Sequence, residues 1–314
     1  MRPRPNVLVT GANGFVGTAL VNYLLESGKY YLRCATRTNA LWPRNVAGFT
    51  IGDIDGETDW QSALNDLDVV VHLAARVHIM HDTSANPLQE FRRVNVQGTL
   101  ALAEQAAKAG VLRFIFLSSV KVNGEEGVFT ESDTPAPLDN YGVSKLEAEI
   151  GLREIAQRTG MDVVIIRPPL VYGPGVKANF HSLQRLVARG IPFPFASVKN
   201  KRSLVAIDNL TNFINVAIAH PSAANETFLV SDGNDLSTAQ LVQAMARAEG
   251  REAKLFSVPE GLLEFAATVI GKRSVARRLL RTLQLDTSKA RKLLGWQPPV
   301  TVEEGLRRSV APRK

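Results

Sequence analysis

Over the first 170 residues, apolar and polar positions alternate between two periods. Short β-type apolar runs occur at 7–10, 30–36, 69–73, 114–117 and 163–166, and stretches with helical spacing fill 18–27, 91–109 and 141–159. Val69-Val70-Val71-His72-Leu73 lacks the polar alternation of a half-exposed strand, so it reads as a strand covered on both faces. Gly110 and Gly160 stop two of the helices, and Pro168-Pro169 stops the last strand. Strands alternating with helices across short connections predict βαβ units, hence an α/β fold with a doubly wound parallel sheet. After Pro169 the alternation breaks. Residues 171–200 are rich in Gly and Pro, 201–232 read as a return to the sheet, and 233–314 are mainly helical. This predicts a domain over 1–170, rejoined by 201–232, and a smaller, mainly helical C-terminal lobe from 171–200 and 233–314.

Composition narrows the class. With 45% hydrophobic and 21% charged residues in 314, the chain can bury a core and is neither fibrous nor disordered. The single cysteine, Cys34, excludes internal disulfides, and the five scattered histidines show no ligand spacing, so no metal site is expected. The basic Met1-Arg2-Pro3-Arg4-Pro5 runs straight into a strand, and no apolar run approaches the roughly 18 residues of a membrane span. The expectation is a cytoplasmic protein with no membrane partner. The net charge of +7 is unevenly placed: residues 1–80 carry 7 basic and 7 acidic side chains, 81–171 carry 9 and 12, and 172–314 carry 21 and 11. An anionic partner would therefore meet the C-terminal half. No basic stripe interleaved with aromatics is present, so nucleic acid is not expected, and a non-catalytic nucleotide- or RNA-binding protein stands only as a distant alternative.

Two constellations carry chemistry. Gly11-Ala12-Asn13-Gly14-Phe15-Val16-Gly17 follows the first strand and opens the first helix, where glycines permit a tight turn and free N–H groups face an anion. A dinucleotide cofactor on a Rossmann-type sheet is predicted, with Gly11, Asn13, Gly14, Phe15, Val16 and Gly17 at its pyrophosphate. The spacing is GxxGxxG rather than GxGxxG. Arg37 ends the second strand, where an acid would take the ribose 2′-hydroxyl of NAD; an Arg there suits a 2′-phosphate, so the cofactor is NAD or NADP with a lean toward NADP. Asp53 and Ile54, with Leu73, Ala74 and Ala75, line the adenine and ribose side, and His72 reads as a packed strand-end residue. In the second constellation, Ser118-Ser119 end a buried strand and Tyr141-Gly142-Val143-Ser144-Lys145 open a helix. Tyr141 and Lys145 share a helical face, so the ammonium is expected to lower the phenol pKa from about 10 toward neutrality and make Tyr141 an acid/base.

With these residues the chain resembles an extended short-chain dehydrogenase/reductase of the NAD-dependent epimerase/dehydratase family, which acts on nucleotide sugars. The likeness runs through Thr10–Gly17, 72–75, Asn95, 118–124, 141–145, 167–175 and 286–298. It implies that Ser119, five residues before Gly124, is the catalytic Ser, that Tyr141 is the acid/base, and that Lys145 partners Tyr141 and holds the nicotinamide ribose. It places Pro168 on the cofactor side and Lys121, Asn179, Arg202 and Arg278 on the substrate side, with Arg277 and Arg281 competing for the place of Arg278. Asn95 matches a helical Asn that either braces its helix or relays a proton. The family commonly forms homodimers.

Departures sharpen the expectation. Sugar-nucleotide dehydratases of this fold carry Asp-Glu after the catalytic Ser/Thr; here Val120-Lys121 stand there, so dehydration is not expected. Asn123 replaces the usual Tyr before Gly124. The resemblance implies hydride transfer at C4 of a UDP-linked hexose, with a UDP-sugar 4-epimerase first. The alternative is an NADPH-dependent reductase of a UDP-4-keto-6-deoxy sugar in surface-polysaccharide synthesis.

Overall fold

The uninterrupted apolar run around Val70 forms the middle strand of a seven-stranded sheet in the computed structural model, which describes residues 4–77 and 86–310. The first part of the chain runs β1 (Asn6–Thr10), α1 (Phe15–Ser27), β2 (Tyr31–Thr36), β3 (Val46–Thr50), α2 (Gln61–Leu64), β4 (Val69–His72), α3 (Pro87–Arg92), α4 (Thr99–Lys108) and β5 (Arg113–Leu117). A small β6 (Gly127–Phe129), α5 (Asn140–Thr159), β7 (Asp162–Arg167), β8 (Leu170–Tyr172), α6 (Ala178–Ala188), β9 (Leu204–Ala206), α7 (Ile207–Ala219) and β10 (Thr227–Leu229) follow. The chain closes with α8 (Thr238–Ala248), α9 (Glu260–Val269), α10 (Arg273–Leu280), β11 (Leu283–Leu285), α11 (Ser288–Leu294) and α12 (Val302–Val310).

The sheet order is β3-β2-β1-β4-β5-β7-β10, with every pair parallel. The order reverses between β1 and β4, which opens a crevice beyond the carboxyl ends of those strands, where ligands of doubly wound folds bind. One face of the sheet is covered by Leu20 and Leu24 of α1 with Phe213 and Ile214 of α7; the other is covered by Leu102 and Ala106 of α4 with Ala148 and Leu152 of α5. A separate core, including Tyr172, Phe180, Phe193, Val242, Met245 and Leu306, fills the smaller lobe.

Several elements differ from the sequence expectation. β3 was not anticipated: it is an edge strand with one buried residue, Val46, and an internal glycine, so its pattern is weak. The helix expected over 91–109 starts at Pro87, where Asn86 caps it, and widens into a π-helical turn over Arg93–Gly98 before α4. Residues 288–296, placed in the C-terminal lobe by the sequence, pack on the sheet instead. Ala290, Leu294 and Trp296 join the core of α1 and α7, the Trp296 ring meets Phe213 edge-on at 5.0 Å, and its Nε1 donates to Asn212 Oδ1 at 2.9 Å. Among the described residues, no helix is long and apolar enough to cross a membrane, and no group of His, Cys, Asp or Glu is arranged to hold a metal.

Candidate active site

The glycine turn is shaped by contacts that exclude side chains. Gly11 has φ +64°, and a Cβ there would lie 2.8 Å from the Ala74 backbone N. A Cβ on Gly17 would lie 2.1 Å from the Gly11 carbonyl oxygen, so α1 can press against the turn only as glycine. Gly14 is the N-cap of α1 and no side chain caps the helix, which leaves its first turn open to an anion beside the β1–β4 crevice. Thr10 Oγ1 accepts from Leu73 N and Ala74 N, both at 3.2 Å, and pairs with His72 Nδ1 at 2.7 Å. His72 Nε2 reaches Thr99 Oγ1 at 3.0 Å. Burial, and secondarily the charge of Lys145, push the His72 pKa down to about 3, so the ring is neutral and fastens β4 to α4. Arg37 and Asp53 form an exposed ion pair at 3.6 Å.

Ser119, Tyr141 and Lys145 gather at the carboxyl edge because β5 ends at Leu117, two residues before Ser119, and α5 packs over the following 3-10 turn, Val120–Val122. Ser119 caps that turn, its Oγ accepting from Lys121 N at 3.2 Å. Lys145 is 2% exposed; its Nζ donates to the Leu117 carbonyl at 2.9 Å and lies 4.4 Å from the Phe116 ring centre and 5.9 Å from that of Tyr141. Desolvation pulls the Lys145 pKa down to about 7, against an upward pull from Glu149. The phenol does not behave as the Tyr–Lys spacing suggested. Desolvation, and then the Asp139 carboxylate, push the Tyr141 pKa up, which favours the protonated phenol. A lysine that is itself desolvated and bonded to a backbone carbonyl is too weak a cation to reverse that.

Beneath the three lies a polar floor that sequence reasoning missed. Glu149 and Arg167 form a buried pair, with Arg167 Nη2 to Glu149 Oε2 at 2.5 Å and Nε to Oε1 at 2.9 Å. Ser118 Oγ donates to Glu149 Oε1 at 2.5 Å, and Arg167 Nη1 donates to Asn123 Oδ1 at 3.0 Å. Asn123 in turn donates to the Thr130 carbonyl, so the residue that replaces the usual Tyr belongs to the floor. The overlooked signal was spacing: Glu149 follows Lys145 by one helical turn on the face that carries Tyr141. Asn95 is fully committed. It accepts from Arg76 N at 2.8 Å and donates to the Arg76 carbonyl at 2.9 Å and Ser144 Oγ at 3.0 Å, which braces the π-helical turn against α5.

On the substrate side, Lys121 is held in ion pairs to Asp139, the N-cap of α5, and to Glu125. Arg202 donates from Nη1 to the Arg281 carbonyl at 3.0 Å; burial and the neighbouring Arg278 lower its pKa. The three competing arginines now separate. Arg277 pairs with Glu126 at 3.5 Å and Arg281 with Glu264 at 2.6 Å, whereas no ion pair among the described residues engages Arg278. Two cations held together, one partly desolvated, suit a diphosphate. Asn179 stands exposed in the first turn of α6, and the Pro168 carbonyl accepts from Val120 N at 2.9 Å beside Ser119. A cleft of about 580 Å³ walled by Asp232, Asp235, Asp286 and Glu303 contains none of these residues, and its acids would repel an anion.

The chain is similar in sequence and fold to known proteins. Residues 7–231 match the model of the NAD dependent epimerase/dehydratase family. A UDP-glucose 4-epimerase of Vibrio cholerae is 48% identical over 309 residues, spanning 97% of this chain and 94% of that protein. MoeE5, solved with UDP-glucose and NAD, superposes with a TM-score of 0.77 at 27% identity, covering 97% of each chain. The UDP-glucose 4-epimerase of Thermotoga maritima, solved with UDP-glucose, superposes at 0.75 and 25% identity, again over 97% of each. With the family model covering most of the sequence and a relative at this identity matching nearly end to end, the chain belongs to the NAD-dependent epimerase/dehydratase family.

Proposed function

We infer that the protein is a UDP-sugar 4-epimerase. The observation that carries this reading is the end-to-end 48% identity to a UDP-glucose 4-epimerase in a chain that keeps Ser119, Tyr141 and Lys145 together at the sheet's carboxyl edge. Oxidised cofactor, when bound, supplies a hydride acceptor and a positive ring charge. Tyr141, whose pKa burial and Asp139 push up, acts as base once cationic charge beside it favours the phenolate, taking the C4 hydroxyl proton and later returning it. Ser119 hydrogen-bonds the C4 oxygen, and Lys145 fastens the ribose. Arg202 and Arg278 clamp the diphosphate, with Asn179 beside them. Lys121 contacts the sugar only through a change of partner, since Asp139 and Glu125 hold it now.

The cofactor reading is NAD rather than NADP. A 2′-phosphate would have to draw Arg37 from Asp53, whereas a 2′-hydroxyl can use the Asp53 carboxylate and leave the pair intact; MoeE5 was solved with NAD. Residues 1–170 and 201–232, joined by 288–296, form the cofactor half, and the remainder forms the sugar-nucleotide lobe. The protein works in the cytoplasm as a homodimer through α4 and α5, where Ile150 is half exposed. The test is to release and identify the bound cofactor, then supply UDP-glucose or UDP-N-acetylglucosamine without reductant. Appearance of the C4 epimer supports the reading. No epimer, together with NADPH oxidation on a UDP-4-keto-6-deoxy sugar, replaces it with a 4-keto reductase.

A further inference from the structure

The helix α9 has no fully buried residue. Its Leu263 and Ala267 lean on Val198, Ala276 and Leu280, while Leu262, Phe265, Val269 and Ile270 stand 56, 67, 70 and 66% exposed. Positions 262, 265 and 269 recur at helical spacing, so the exposed residues form one stripe along the helix rather than scattered apolar tips. Phe256 and Val275 extend the patch on either side. The stripe runs directly into Gly271, Lys272 and Arg273, which join α9 to α10. Both cations are exposed and, among the described residues, neither has an ion-pair partner, whereas Glu264 of α9 is occupied by Arg281.

We propose that the α9–α10 hairpin docks on the anionic headgroups of a lipid bilayer. Leu262, Phe265, Val269 and Ile270 enter the boundary between headgroups and acyl chains, and Lys272 and Arg273 pair with lipid phosphates. Among the described residues no helix spans a membrane, but lying on a surface needs only one apolar face and flanking cations. Charge selects lipid over a second copy of this chain. The half that carries the hairpin has 21 basic against 11 acidic residues, so two copies joined here would bring like charges together, while an anionic leaflet neutralises them. Arg278 lies on the same α10, so a docked hairpin holds the proposed diphosphate clamp beside the headgroup plane. The inference does not depend on which sugar is turned over.

Vesicle flotation of the full chain tests it, with phosphatidylglycerol and phosphatidylcholine in equal parts against phosphatidylcholine alone. The protein floats with the anionic vesicles, not the neutral ones, and is released at about 0.5 M salt, where charges are screened within a few ångströms. The double variant Phe265→Ser/Val269→Ser no longer floats, and Lys272→Gln/Arg273→Gln binds on the order of thirtyfold more weakly. Both keep wild-type turnover of UDP-sugar, which shows that they fold. Failure to float on anionic vesicles overturns the proposal, as does undiminished flotation of Phe265→Ser/Val269→Ser. If the wild type does not float and that variant instead dissociates a dimer, the face belongs to a second copy.

Discussion

The polar floor under Tyr141 and the α9–α10 lobe handle cations in opposite ways. In the floor, Arg167 and Lys145 are buried and bonded to fixed acceptors: Glu149 and Asn123 for the guanidinium, the Leu117 carbonyl for the ammonium. In the lobe, Arg278, Lys272 and Arg273 have no ion-pair partner among the described residues, and the apolar stripe next to them is open to water. A buried charge without a partner costs several kcal/mol, so where the protein buries cations their geometry is locked in advance. An exposed cation carries almost no such penalty and can wait for a ligand. The contrast separates a candidate reaction edge whose cations are fixed from a surface whose cations are left without ion-pair partners among the described residues.

The largest effect should come from the reaction edge. Tyr141→Phe lowers epimer formation by about 10²–10⁴ while circular dichroism and cofactor content stay unchanged, since only the proton carrier is removed; retained turnover would sink the assignment. Next comes the floor. Glu149→Ala leaves Arg167 charged in the interior and costs about 3–5 kcal/mol in urea unfolding. The double variant Glu149→Met/Arg167→Met recovers much of that, and its failure to do so would mean that the pair acts through more than charge compensation. In the lobe the effect is smaller and appears in binding. Arg278→Ala raises KM for the UDP-sugar about tenfold or more with kcat little changed, whereas Arg277→Ala and Arg281→Ala, already neutralised by Glu126 and Glu264, shift KM by less than about threefold. Equal effects for all three would erase the distinction drawn between them.

The smallest effect, taken per pH unit, concerns pH. Lys145 has a folded pKa of about 7, below the ordinary lysine value of about 10.4 that it regains on unfolding. Between these pH values the unfolded chain binds the extra proton, so this group makes stability rise with pH across that window, by at most about 1.4 kcal/mol per pH unit, and contributes no slope below about pH 7. Unfolding free energies from pH 7 to 9 in wild type and Lys145→Met check this, the slope being smaller in the variant.

Much of the architecture was legible because it rests on local periodicity. The apolar run at 69–73, the glycines between β1 and α1, and the stop at Pro168-Pro169 each declare a strand, a turn or an end within a few residues. The edge strand β3, with one buried residue, leaves no such trace. The candidate site was legible as residue types at set spacings, which is how Ser119, Tyr141 and Lys145 were singled out. The floor beneath them was not, because Ser118, Asn123, Glu149 and Arg167 meet only after β5, α5 and β7 are brought side by side.

The sequence by itself determined the βαβ order, the glycine turn between β1 and α1 and the choice of candidate site residues, since these depend on neighbours along the chain. Tertiary structure alone decided the direction in which the Tyr141 pKa is pushed. The spacing to Lys145 argued for a lowered pKa, but desolvation and Asp139 raise it, and desolvation depends on everything packed around a group. It also decided which arginines of the cluster are already paired, since Glu126 and Glu264 reach Arg277 and Arg281 only across the fold. And it decided that the apolar stripe of α9 faces water: a helical pattern reveals that an apolar face exists, but only packing determines whether anything covers it.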